Sequence, residues 1–91
     1  MSATKRWYEA AAEAGCCPIS RETWKYLDRL EQADPALDWI GYTEFDHIGR
    51  DGRLHVYDCI TVASARRLAD ERLENMEIAE FLECFGEYCP A

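Results

Sequence analysis

Residues Tyr42 to Val62 hold the only strand-like stretch in a chain whose other apolar residues recur at helical spacing. Two β-rich runs flank Gly49-Arg50-Asp51-Gly52, and Asp51-Gly52 supplies the turn of a β-hairpin. A two-stranded hairpin is marginal in water on its own. Helices must therefore cover one of its faces, or its free edge must pair with a second copy, which makes a homodimer one expectation. The loop length decides which side chains share a face. A two- or four-residue loop puts Phe45, Leu54, Val56, Ile60 and Val62 together, with Glu44, Asp46, His55, Tyr57 and Cys59 opposite. A three-residue loop with a bulge joins Ile48 to Leu54 instead. Asp58 falls among apolar positions in either case, so a bulge or a hydrogen-bonded aspartate is expected there.

The flanking segments predict helices. Trp7, Ala10, Ala11 and Ala14 form an i, i+3, i+4, i+7 stripe, and Gly15 sits where a helix would end. Cys16-Cys17-Pro18 reads as a link, because proline cannot continue a helix. Ser20 is a good N-cap for a second helix running to about Ala33, with Ile19 placed to staple onto Trp24. Its apolar face is Trp24, Leu27 and Leu30. Asp34-Pro35 signals a short helical turn before Gly41.

Ser64 is the expected cap of a third helix carrying Leu68, Ala69, Leu73 and Met76 on one side. The later stripe, Ile78, Phe81, Leu82 and Phe85, lies roughly 160–200° around from the first at ~100° per residue. One straight helix cannot bury both, so the chain must break near Asn75, which suits a cap. Gly86 is the expected end of the last helix. At 91 residues with 48% apolar and 31% charged residues, these elements amount to one small α+β domain over residues 1–91. Its order is two N-terminal helices, a β-hairpin and two C-terminal helices.

The first residues, through Arg6 and Trp7, carry bases without an apolar run, and nothing approaches the ~18 apolar residues of a membrane span. The expectation is a cytoplasmic protein with no membrane partner. Cys16, Cys17, Cys59, Cys84 and Cys89 are odd in number, which favours reduced, buried thiols over a disulfide framework. A zinc site is the less favoured reading: the adjacent Cys16 and Cys17 strain a shared tetrahedron, and His47 and His55 would have to complete it. No cofactor is expected.

The formal charge is −8, from 18 acidic and 10 basic residues, so the chain lacks the basic footprint of a free-standing nucleic-acid binder. The charge is uneven. Between Leu30 and Gly49 lie Glu31, Asp34, Asp38, Glu44 and Asp46 with no Lys or Arg. From Leu73 onward lie Glu74, Glu77, Glu80, Glu83 and Glu87, again with no base. These ten acids carry −10, which leaves the rest of the chain at +2. On the last helix Glu80, Glu83 and Glu87 fall within ~60° of one another, with Glu77 at the flank. Like charges at i, i+3 and i+4 repel, and glutamates in a last turn oppose the helix dipole. Their axial spacing of ~4.5–6 Å is comparable to, though longer than, the ~3.4 Å phosphate spacing of a DNA strand.

Catalytic signals are weak. The five glycines stand at element ends, and no G-x-S-x-G, H-E-x-x-H or C-x-x-C occurs. His47 and His55, near Asp46, Asp58 and Cys59, are the one arrangement to weigh for acid–base or Cys–His chemistry. No catalytic residue is assigned. Trp39 and Tyr42, beside the first acidic block, are expected in the core, with interface anchoring the alternative.

In size and charge the profile resembles the small inhibitors of phages and mobile elements, among them anti-CRISPR and DNA-mimicking antirestriction proteins. The resemblance implies a non-enzymatic inhibitor occupying an Arg/Lys groove of a protein partner, such as a nuclease or CRISPR effector subunit, without touching nucleic acid itself. The expected contact residues are Glu74, Glu77, Glu80, Glu83 and Glu87, helped by Glu31, Asp34, Asp38, Glu44 and Asp46. The alternative is an interaction or antitoxin-like module bound through apolar surface.

Overall fold

The computed structural model describes residues 9–88 and, within the last helix, side chains as far as Cys84. The described chain runs α1 (helical over residues 9–13), β1 (Cys16–Pro18), α2 (Arg21–Ala33), a 3₁₀ turn (Pro35–Leu37), β2 (Tyr42–Ile48), β3 (Leu54–Thr61), α3 (Val62–Asp70) and α4 (Met76–Tyr88). The described residues form a small α+β domain with four helices. The expected hairpin is part of a larger sheet, three-stranded and antiparallel in the order β1–β3–β2. The segment read as a link is β1, with Cys17 opposite Ile60 and Pro18 opposite Cys59. Proline is tolerated there because β1 is an edge strand. Gly15, at φ +74°, turns the chain out of α1 into β1, and its carbonyl accepts from the Val62 amide.

Of the hairpin registers, the three-residue loop is adopted. Ile48 pairs with Leu54, the Gly49 amide donates to the Arg53 carbonyl, and Gly52 takes the left-handed conformation at φ +75°. Phe45, Tyr57 and Cys59 consequently share one face with Cys16, while Leu54, Val56, Asp58 and Ile60 lie on the other with Cys17. Phe45 is thus separated from the aliphatic residues that a two- or four-residue loop would have placed beside it. The first face packs on α1 through Ala11, and the second packs at its base on the helices through Cys17 and Ile60. The expected bulge at Asp58 is absent: Asp58 pairs directly with Glu44 and is exposed, because the outer part of its face is uncovered.

The helix signals hold in most places. Ser20 caps α2 by accepting from the Thr23 amide, and Asp34 caps the 3₁₀ turn through the Ala36 amide. The cap of α3 is Thr61 rather than Ser64, since the last strand residue is already extended and its hydroxyl reaches the Ser64 amide. The Ser64 hydroxyl instead accepts from the Gly41 amide, tying α3 to the entry of β2. The break between α3 and α4 is made by Arg72 at φ 58°, with Arg72 N–H bonded to Ala69 and Leu73 N–H to Leu68. This is a Schellman ending with arginine where glycine is usual. Asn75 then caps α4 through the Ile78 amide. Because α3 has already ended, Met76 leaves the stripe assigned to it and is exposed. Gly86 does not end α4, which runs through it to Tyr88.

Leu27, Ile60, Ala65, Leu68, Ile78 and Phe81 form the centre of the main core. Trp39 packs against it under the Arg67 guanidinium, 4.2 Å from the ring centroid. No helix among the described residues is long and apolar enough to cross a membrane. The stripe position of Trp7 and the thiol of Cys89 lie outside the described residues.

Candidate partner-binding surface

Residues 24, 28 and 31 are one helical turn apart in succession, so Trp24, Asp28 and Glu31 form a stripe along α2. This stripe faces the start of β2: the Trp24 and Tyr42 rings lie 6.1 Å apart. Burial, then Glu31, then Asp28 raises the Tyr42 hydroxyl above its ordinary pKa, which places both carboxylates within electrostatic reach of the ring. Trp24 belongs to this surface rather than to the expected core stripe; it is 41% exposed while Thr23, one residue earlier, is buried.

On β2 the side chains alternate, so Tyr42, Glu44 and Asp46 point to the same face. Asp58 of β3 lies opposite Glu44 on that face. Trp24, Tyr42, Thr43, Glu44, Asp46, Asp58 and Cys59 line an open groove of about 580 Å³. A smaller groove of about 280 Å³ continues between Trp24 and Asp58 to Arg21 and Lys25. Beyond Asp46 the same face carries Ile48, Leu54 and Val56, all more than half exposed. Five carboxylates from three elements therefore surround two aromatic rings and border an aliphatic patch. This can attract a basic partner electrostatically and bury its apolar atoms against Trp24 and Tyr42.

The acids singled out in the sequence divide into distinct groups. Glu31, Glu44 and Asp46 are brought together here. Asp34 and Asp38 flank the 3₁₀ turn, Asp34 as its cap, and both are exposed. The Glu77 carboxylate is occupied inside the fold: it accepts from the Ser20 amide at 2.9 Å, the Ser20 hydroxyl at 3.0 Å and the Thr23 hydroxyl. Asn75 donates to the same threonine. Glu74 is half-buried, with one carboxylate oxygen enclosed and without a hydrogen-bond partner among the described residues. Glu80 and Glu83 are exposed on α4, turned away from Ile78 and Phe81. The Glu87 side chain lies outside the described residues. Thr23, which holds Glu77, and Trp24, which borders the groove, are consecutive and so ~100° apart around α2. The two acidic blocks accordingly meet α2 on different sides.

Asp28 and Asp58 have no place in either acidic block. Asp28 sits in sequence between Lys25 and Arg29, two bases that outweigh it in a local charge count. The signal available for it was the i, i+4, i+7 spacing of Trp24, Asp28 and Glu31. For Asp58 the available signal was its place in the hairpin, opposite Glu44 in the adopted register.

His47 and His55 are cross-strand partners, in a row of rings with Phe45 and Tyr57. His55 Nε2 lies 3.2 Å from the Asp51 carboxylate, whose pKa is lowered first by the Arg53 amide and then by His55. Cys16, Cys17 and Cys59 are buried free thiols. Burial pushes Cys59 up to about 12, and Cys17 also rises well above the usual thiol range. A protonated Cys59 is a poor nucleophile and a poor metal ligand at neutral pH. Among the described residues no group of three or more His, Cys, Asp or Glu is arranged to hold a metal ion.

These thiols make two expectations measurable. In native protein Cys16, Cys17 and Cys59 should react with a thiol reagent far more slowly than after unfolding in guanidinium; equal rates would place them at the surface. A thiol whose folded pKa is raised stabilises the fold fully below its unfolded value of 9.0, and loses that contribution as pH rises towards about 12. Unfolding midpoints should therefore fall through this alkaline window, and Cys59→Ser should reduce the fall.

Comparison of the chain with protein-family models, curated proteins and solved structures finds no match.

Proposed function

We infer that this protein is a non-catalytic inhibitor that docks its acidic surface on the basic, nucleic-acid-handling surface of a partner protein and occludes it. The observation that carries this reading is the convergence of Asp28, Glu31, Glu44, Asp46 and Asp58 around Trp24 and Tyr42. Carboxylates in this number steer a basic partner and select its charge, while the two exposed rings supply desolvated contact area. The centre of the surface thus moves from α4 to the groove between α2 and the sheet. Glu80 and Glu83 extend the negative field from a second side, and Glu77 serves the fold.

A second reading, an interaction or antitoxin-like module held by apolar contacts, draws on the exposed Ile48, Leu54 and Val56. The two separate on charge reversal. The combined change Glu44→Lys, Asp46→Lys and Asp58→Lys should abolish capture of a nuclease or CRISPR effector subunit. Added duplex nucleic acid should displace the captured protein from wild type. Glu80→Lys with Glu83→Lys should weaken capture less. Binding that survives the triple reversal and ignores both salt and competing nucleic acid would overturn the inhibitor reading in favour of the apolar one.

A further inference from the structure

The sheet order β1–β3–β2 leaves β2 with a neighbour on one side only among the described residues. The ladder shows which backbone groups face outward. Thr61 N–H donates to Gly41 and Gly49 N–H donates to Arg53, and the register between them is continuous. In an antiparallel pair, residues alternate between bonding inward and pointing away. Odd-numbered residues of β2 therefore bond to β3, and the amides of Tyr42, Glu44, Asp46 and Ile48 point to the open edge. Exposed edges are usually blunted by charged side chains, lysine above all, or by proline, a bulge, shortness or a covering element. β2 has seven residues, no proline, no lysine and no bulge. What it carries instead is Glu44 and Asp46, which repel an acidic or identical strand and attract a basic one.

We propose that β2 is an acceptor edge to which an extended basic segment of the partner protein adds as a fourth, antiparallel strand, with Lys or Arg opposite Glu44 and Asp46. This rests on the acidic-surface reading above and names how the partner engages it: backbone bonds along the edge supply affinity, and alternate side chains supply selection. The same four residues whose amides face the edge place their side chains on the open face, so one added strand would satisfy the amides and pair the acids together. A second copy is a poor occupant. Antiparallel registers centred on β2 set Glu44 or Asp46 opposite one of the same two acids, and like charges directly opposed destabilise a sheet.

The test uses three synthetic eight-residue peptides: alternating lysine and valine, the same peptide N-methylated on its lysine amides, and alternating glutamate and valine. Each is titrated into the ¹⁵N-labelled full chain. With lysine opposite an acid, the lysine amides are those that bond to β2. The lysine–valine peptide should bind, shift the amides of Tyr42, Glu44, Asp46 and Ile48, and slow their hydrogen exchange. The N-methylated twin should bind at least about tenfold more weakly, having lost the ladder bonds, and the glutamate peptide should not bind. Equal binding of methylated and unmethylated lysine peptides overturns strand addition while leaving acidic docking in place. No binding of the lysine peptide also overturns it, as does a peptide-free dimer that protects the same four amides.

Discussion

Truncating Phe81 to alanine should destabilise the protein by about 3–5 kcal/mol, the usual cost of emptying a phenylalanine-sized volume in a packed core. Phe81 is 1% exposed and is the largest fully buried side chain among the described residues. It brings α4 into the cluster built from Leu27 of α2, Ile60 of β3 and Leu68 of α3. A domain of this size has a total stability of about 5–14 kcal/mol, so the loss takes at least about a fifth of it and, at the lower end, most of it. The melting midpoint should fall by roughly 15–30 °C. Urea or thermal unfolding followed by far-UV circular dichroism gives the number, and a loss below ~1 kcal/mol would mean that α4 is not packed as described.

Replacing Glu77 by alanine should cost about 2 kcal/mol, within the range for hydrogen bonds to a charged group. One carboxylate holds the Ser20 amide, the Ser20 hydroxyl and the Thr23 hydroxyl, so α4 supplies part of the N-terminal cap of α2. Thr23 keeps Asn75 as a partner when Glu77 is lost, which limits the damage. Glu80→Ala, on the exposed side of the same helix, should change stability by less than ~0.5 kcal/mol. The pair separates fold from function: Glu77→Ala should lower the unfolding free energy, whereas Glu80→Ala should leave it alone. Equal effects from the two would remove Glu77 from its capping role.

These two residues also show how far sequence reasoning reaches. The Ile78/Phe81/Leu82 stripe and the break near Asn75 were legible because they follow from helix periodicity, which is local. Ser20, Gly15 and the Asp34-Pro35 turn were legible for the same reason: each satisfies a backbone need within a few residues of itself. Glu77 was not. In sequence it is one of five acids in a base-free run, and nothing local distinguishes a glutamate that caps a helix 57 positions away from one that faces solvent. Trp24 lies at the groove rather than in the core, because spacing defines a stripe on a helix but not what the stripe faces.

The chain by itself determined an α+β domain, its helix boundaries to within a few residues, the hairpin turn and the two acidic runs, since propensity, capping and charge counting act over short separations. Tertiary structure decided the rest. It recruited Cys16-Cys17-Pro18 as a third strand, because β3 offered a free edge and Gly15 could turn the chain onto it. It chose the three-residue hairpin loop, sending Phe45 to one face and the aliphatics to the other. It also divided the acids, giving Glu77 to the Ser20 cap and gathering Asp28, Glu31, Glu44, Asp46 and Asp58 around two rings. Long-range pairing and burial settle such choices, and they are properties of the folded arrangement rather than of any window of residues.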